Sequence, residues 1–219
     1  MTKQLIKQNP IQTIAIIVIS FFAHVAYAAE DNSIFKVGSD YQLVEKIETQ
    51  QHQQLSELET ISNIEIFYWY GCESCFHVEA AILEFAQNNP ELTIRRTPLI
   101  ARPAWRQQAY IQALMSQLSE TEELPSILEI YQQCLLDCAV LKNLDAIILW
   151  FTKRMPEQDF NLIEQKQIWS QEKIFKKRSK IFSITQVPTI IINERYKVDA
   201  NQAKTAKRLV EIMEFLLAK

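Results

Sequence analysis

Hydrophobic positions change their spacing twice along this chain, and the two changes divide it into three parts. From Asn63 to Tyr70, in NIEIFYWY, β-branched and aromatic residues crowd into a run short enough to be a buried strand. Gly71 ends the run. Cys72 to Gln87 then takes helical spacing, with Cys75, Phe76, Glu79, Ala80, Leu83 and Ala86 gathered on one face, and Asn88-Asn89-Pro90 stops it. Leu92 to Leu99 is a second strand. Strand, helix and strand in this order make a βαβ unit.

From Pro103 the periodicity is helical for about eighty residues. Trp105, Ala109, Ala113 and Leu118 trace one face, and Ile127, Ile130, Tyr131 and Cys134 another. Leu144–Phe151 and Phe160–Phe182 read as further helices. The pattern then reverts: Thr189–Ile192 predicts a strand, Arg195–Val198 its hairpin partner, and Gln202–Leu217 a closing helix. The hairpin turn at Asn193-Glu194 has no glycine, but asparagine tolerates left-handed backbone. The chain shows no repeat and no low-complexity tract. The class is α/β, one domain interrupted by a helical insertion.

The N-terminus bears on the compartment. Lys3 and Lys7 precede an apolar run, Ile11 to Val25, and Ala26-Tyr27-Ala28 follows. A basic start, an apolar middle and an A-x-A site are the three parts of a secretory signal peptide, here residues 1–28, removed after Ala28. The rival reading is an uncleaved anchor. A spanning helix needs ~20 mostly apolar residues, whereas this run is shorter and is broken by Gln12, Thr13, Ser20 and His24. The whole chain carries a formal net charge of −3, and loss of two lysines makes it more acidic still. Such a chain has no electrostatic footprint for nucleic acid. All four cysteines, Cys72, Cys75, Cys134 and Cys138, lie beyond the cleavage point, and export places them where disulfides persist.

The informative segment is YWYGCESCFHVEA, Tyr68 to Ala80. A C-x-x-C at the junction of a strand and a helix has a physical logic. The helix N-terminus offers unpaired backbone N–H groups and partial positive charge, and both stabilise a thiolate there. Cys72 is therefore the low-pKa, exposed nucleophile, and Cys75, one turn on, the more buried resolving thiol. Gly71 beside Cys72 suits close approach of a substrate backbone. The alternative is half of a zinc site, which needs two further ligands; His77 follows Cys75 by two residues and points to another helix face. No metal or other cofactor is expected.

A second motif, Gln186-Val187-Pro188-Thr189, stands directly before a strand. With the C-x-x-C and the order of elements, it makes the chain resemble the DsbA family of periplasmic thiol–disulfide oxidoreductases. The resemblance covers most of the mature chain. It implies a thioredoxin-like fold over residues 29–99 and 184–219, with an inserted helical domain over 100–183. It also implies that Pro188 is the cis-proline packing against the C-x-x-C, and that the backbone of Val187 pairs with substrate. A cis X–Pro bond is uncommon and usually functional; a trans proline opening a strand is the plainer reading. The implied partners are unfolded exported polypeptides with free cysteines and a membrane redox partner of the DsbB kind, for a periplasmic monomer.

Three positions depart from the family pattern. Glu73-Ser74 stand between the cysteines where Pro-His is typical. A carboxylate at Glu73 opposes the thiolate by about 1 kcal/mol or less, which makes for a weaker oxidant. The family's buried acid six residues before the first cysteine is here Ile66, and Glu65, one residue off, faces the other way on a strand. Gln186 replaces a common glycine. Glu79 does match the family's acid on the active-site helix, a proton relay there; spacing alone equally allows a solvated helix position.

Cys134 and Cys138 are four apart. On an unbroken helix their Cβ atoms would lie ~5–6 Å apart, beyond the ~3.5–4.5 Å that a disulfide needs. Asp137 and Asn143 are turn and capping types, so a helix ending near Leu135 would allow a structural disulfide; two buried free thiols are the alternative. The basic run Lys173, Lys176, Lys177, Arg178 and Lys180 reads as a solvated helix face, His52 as exposed, and Trp105, Trp150 and Trp169 as core of the helical block. Trp69 is placed to floor the site. The function expected is a dithiol oxidase that introduces disulfides into secreted proteins. A reductase or isomerase on the same fold, or a soft-metal carrier using the two cysteines, are the competing readings.

Overall fold

The computed structural model describes residues 34–44, 62–118 and 124–219. The expected signal segment and His52 lie outside the described residues, and so does much of the stretch before Ser62. Five strands form one sheet, β1 (Gln42–Leu43), β2 (Ile64–Tyr68), β3 (Ile94–Pro98), β4 (Thr189–Ile192) and β5 (Tyr196–Asp199), in the spatial order β1-β5-β4-β2-β3. β2 and β3 pair parallel; the other three pairings are antiparallel. Helix α1 (Glu73–Asn88) connects β2 to β3. α2 (Arg106–Leu118), α3 (Ile127–Asp137), α4 (Leu144–Thr152) and α5 (Gln165–Ile181) follow, and α6 (Ala206–Leu217) closes the chain. The expected thioredoxin-like sheet with a helical insertion is the fold that forms.

Strand alternation sends successive side chains to opposite faces. Ile64, Ile66 and Tyr68 of β2 join Ile190 and Ile192 of β4 in the main core, with Ile82 and Phe85 from α1 and Leu209, Ile212, Met213 and Leu216 from α6. Phe67 and Ile191 point the other way, to Leu99, Phe182 and Ile184. The turn between β4 and β5 places both Asn193 and Glu194 at positive φ, 50° and 53°, the mirror-image turn that matches the twist of a hairpin.

The expected long helix from Phe160 divides. Phe160–Leu162 is a 3-10 turn capped by Asp159, and α5 begins at Gln165. Two readings of α5 are corrected. Arg178 is not on a solvated face: it is 1% exposed, and its guanidinium makes two hydrogen bonds to Glu65, Nε to Oε1 at 2.7 Å and Nη2 to Oε2 at 2.6 Å. Glu65 faces away from Ile66, as alternation requires, and reaches this partner across the sheet face; Thr97 donates to the same Oε1 at 2.5 Å. Trp169, expected in the core, is half exposed on the outer side of the helix.

A charge pair taken fully out of water is tolerated only when both members are present. Arg178→Met alone should therefore destabilise the protein by about 3–5 kcal/mol in chemical denaturation, because it strands the Glu65 carboxylate. Glu65→Leu combined with Arg178→Met should recover most of that loss. A single-variant cost below about 1 kcal/mol would show that the pair is not buried as described.

Candidate active site

The site is built where β2 runs out. Tyr68 is the last sheet residue, and its carbonyl accepts the Leu99 N–H at 2.9 Å. Trp69, Tyr70 and Gly71 turn the chain, with the Cys72 N–H donating to the Trp69 carbonyl at 3.1 Å. Cys72 is the N-cap of α1 and not its first helical residue: its backbone is extended, at φ −109° and ψ 112°, and its Sγ accepts the Cys75 N–H at 3.2 Å. Serine or aspartate usually occupies such a position, satisfying one of the unpaired N–H groups of the first turn with a side-chain oxygen. Here a sulfur does so.

Gly71 has a different reason from the one its position suggests. A Cβ there would come within 2.6–2.9 Å of the Trp69 indole, which folds over the glycine. Trp69 in turn stacks on Trp105 from the start of the insertion, with centroids 4.6 Å apart and planes within 10°. The residue expected to floor the site thus also ties it to the helical block, and Trp105 is half-buried in this stack.

The two thiols sit in opposite environments. Cys72 is half-buried, and its pKa falls from 9.0 to about 6. The Cys75 thiol, donating to the sulfur, lowers it most. Partial burial raises it, and the Ser74 hydroxyl at 3.2 Å together with the N–H groups of Cys75 and Ser74 lowers it further. Glu73 lies exposed, and these donors outweigh the repulsion expected of it. Cys75 is 2% exposed; burial, and then the neighbouring Cys72, push its pKa well above the ordinary value. One thiol ionises readily while the other holds its proton.

Beneath them lies a charged and aromatic layer. Glu79, one turn after Cys75, is fully buried, which excludes the solvated reading. Its Oε1 accepts from Arg96 of β3 at 2.9 Å through Nε and 2.6 Å through Nη2, while Oε2 is buried with no hydrogen-bond partner among the described residues. Tyr68, Tyr70 and Tyr131 pack edge to face around this layer, and the Tyr68 hydroxyl donates to Gln112 at 2.7 Å. Sequence reasoning missed Arg96, Gln108, Gln112 and the tyrosine cluster as site residues. Arg96, Gln108, Gln112 and Tyr131 arrive from β3, α2 and α3, and no local spacing marks them; Tyr68 and Tyr70 stand just before the cysteines.

The Val187–Pro188 peptide is cis. Val187 shares one hydrophobic cluster with Cys72 and Cys75, and its carbonyl takes a long hydrogen bond of 3.5 Å from Asn201. Asn201, with Ala200, Lys204 and Thr205, lines a cavity of about 220 Å³ whose other wall is Ser74, His77 and Val78 of α1. That cavity links the C-x-x-C turn to the loop after β5. Gln186, in the position where a glycine is common, donates to Asp199 at 2.8 Å across the start of the hairpin. Cys134 and Cys138 are joined as a disulfide. α3 extends to Asp137, two residues beyond the expected Leu135, and Asp137 caps the 3-10 turn that Cys138 begins.

A thioredoxin-like sheet with a C-x-x-C capping its first helix defines the class, a thiol–disulfide oxidoreductase. No family model matches the sequence. The chain is 21% identical over 185 residues to the thiol:disulfide interchange protein DsbA of Azotobacter vinelandii, covering 83% of each. Among solved structures it superposes on DsbA of Pseudomonas aeruginosa with a TM-score of 0.64 at 15% identity, over 84% of this chain and 93% of that one. The oxidoreductase NmDsbA3 of Neisseria meningitidis gives 0.61 at 18%, over 84% and 96%. These superpositions establish the fold. With the sequence match and the cysteine pair they make the chain a DsbA-like thiol–disulfide oxidoreductase.

In the reduced protein, alkylation of Cys72 should follow a pH profile with its midpoint at about 6, and Ser74→Ala should move the midpoint upward. The same shift predicts a stability profile. A group whose pKa is depressed by folding stabilises the fold fully above its unfolded value and loses that contribution as pH falls through its folded one. The reduced protein should therefore gain thermal stability relative to Cys72→Ser between pH 6 and pH 9 and show no advantage below that window. Parallel melting curves across the window would contradict the assignment.

Proposed function

We propose that the protein is an exported dithiol oxidase of the periplasm, passing the Cys72–Cys75 disulfide to unfolded polypeptides and regaining it from a membrane partner of the DsbB kind. The observation that carries this reading is the contrast between the two sulfurs. A substrate thiolate attacks the Cys72 sulfur, a mixed disulfide forms, and Cys75 leaves and takes up a proton. A second substrate thiolate then attacks its own sulfur in the mixed disulfide, and Cys72 departs as thiolate. Two electrons pass from substrate to enzyme, and the substrate is left with a disulfide. A good leaving group speeds the last step, and a stabilised Cys72 thiolate also favours the reduced enzyme, which makes its disulfide oxidising.

In the reverse step, when the enzyme is recharged or a mixed disulfide collapses, Cys75 has to lose its proton in a buried setting. Glu79 lies one turn away with a carboxylate oxygen that has no hydrogen-bond partner among the described residues, and it takes up that proton. Val187 and Pro188 present the loop against which substrate lies. Similarity to DsbA and the signal-like N-terminus support the periplasmic location. Nothing favours the metal-carrier reading: among the described residues, no group of three or more His, Cys, Asp or Glu is placed to hold an ion.

Replacing Cys72 with Ser should abolish oxidation of a model dithiol peptide. Cys75→Ser should instead accumulate a mixed disulfide detectable by mass, since the resolving thiol is gone. Glu79→Gln should slow collapse of the mixed disulfide by roughly tenfold or more, in line with loss of a positioned base. Retained activity in Cys72→Ser would overturn the proposal.

A further inference from the structure

The second cysteine pair lies closer to the active site than its place in the insertion suggests. Gln108 of α2 is fully buried, and its side chain spans two elements. Its Oε1 accepts the Tyr70 N–H at 3.0 Å, and its Nε2 donates to Cys138 Sγ at 3.6 Å. The two bonds fix the amide's orientation, since a backbone N–H demands the oxygen and the sulfur faces the nitrogen. A second route starts from Tyr131, one turn before Cys134 on α3. Its ring meets Tyr70 edge-on at 4.8 Å and Phe76, next to Cys75, at 6.2 Å. Both routes converge on Tyr70, two residues before Cys72, in the turn that sets the cap.

We propose that Gln108 is a positioning residue of the Cys72–Cys75 site, and that through it the redox state of the Cys134–Cys138 pair sets the reactivity of Cys72. The proposal rests on the reading of Cys72 as the nucleophile. A small dithiol reduces the second pair by giving up two electrons and two protons, closing to its own disulfide and leaving two thiols. In the disulfide, Cys138 Sγ is held in place as a weak acceptor. As a thiol it turns about χ1 and donates as well. The Gln108 amide then loses one of the two partners that orient it, and the Tyr70 N–H loses a fixed acceptor in a buried site where an unmade hydrogen bond is costly. The turn that presents Cys72 to the α1 N-terminus loosens accordingly.

The test compares four proteins: the unaltered chain, Cys134→Ala/Cys138→Ala, Gln108→Leu, and the three changes together. The readouts are the Cys72 alkylation midpoint and the equilibrium constant of the Cys72–Cys75 pair with glutathione. Circular dichroism confirms that each is folded. Removing the second pair should shift the equilibrium constant by about threefold or more. The same removal in the Gln108→Leu background should shift it by clearly less, because the link is already cut. A merely structural role would lower thermal stability and leave both readouts where they were, and that result overturns the proposal. Equal shifts in the two backgrounds overturn it too. Should Gln108→Leu not fold, the double cysteine variant decides: unchanged readouts overturn the proposal, and a shift supports it. Absence of any exchange at Cys72 in the unaltered chain is a different failure, one that removes the proposed function itself.

Discussion

A helix capped by a sulfur satisfies one of the unpaired N–H groups of its first turn with that sulfur, and most of this site follows from that bond. Cys72 Sγ accepts the Cys75 N–H as a capping oxygen would, and it does so better as a thiolate than as a thiol. The cap demands extended backbone at Cys72, so β2 has to end before it and turn within three residues. Trp69 closes over Gly71 in that turn, and the Tyr70 N–H finds its acceptor in Gln108, on the far side of the sequence. Ser74 adds a hydroxyl to the same sulfur. With its pKa lowered to about 6, Cys72 is held largely as thiolate at neutral pH.

Two of the buried ion pairs lie on opposite sides of the sheet. Glu65 with Arg178 is dry, doubly hydrogen-bonded and remote from the cysteines; its part is to hold α5 against β2. Glu79 with Arg96 lies under the thiols and leaves one carboxylate oxygen open. Neighbouring residues of β3 and β2 thus serve different faces. Pleat alternation separates an ion pair remote from the cysteines from one that lies under them, without any insertion in either strand.

Strands β2 to β5, the helices and the C-x-x-C were legible because each rests on local pattern: Asn63–Tyr70 and Thr189–Ile192 are runs of strand formers, and the cysteines stand at a strand–helix junction, whereas the two-residue edge strand β1 was not read from the sequence. What was not legible depends on distant partners. Glu79 has the same helical spacing whether it is solvated or buried, and only Arg96, from the next strand, decides. Arg178 sits in a lysine-rich stretch that reads as a wet face, yet Glu65 lies 113 positions away and pulls it inside. Trp169 is the converse case, an aromatic at core spacing that the packing of α2 on α5 leaves outside. Gly71 was read as room for a substrate, whereas its near neighbour is an indole two residues back.

On the proposed function, stabilisation of the Cys72 thiolate at the α1 cap makes the disulfide oxidising. Equilibration of the Cys72–Cys75 pair against glutathione tests it most directly. A thiol with a pKa of about 6 lies between those of thioredoxin, about 7, and DsbA, about 3.5. A reduction potential between their values of about −270 mV and about −120 mV is therefore expected. A potential at or below about −270 mV would contradict it, since the cap and the Ser74 hydroxyl would then not favour the reduced form.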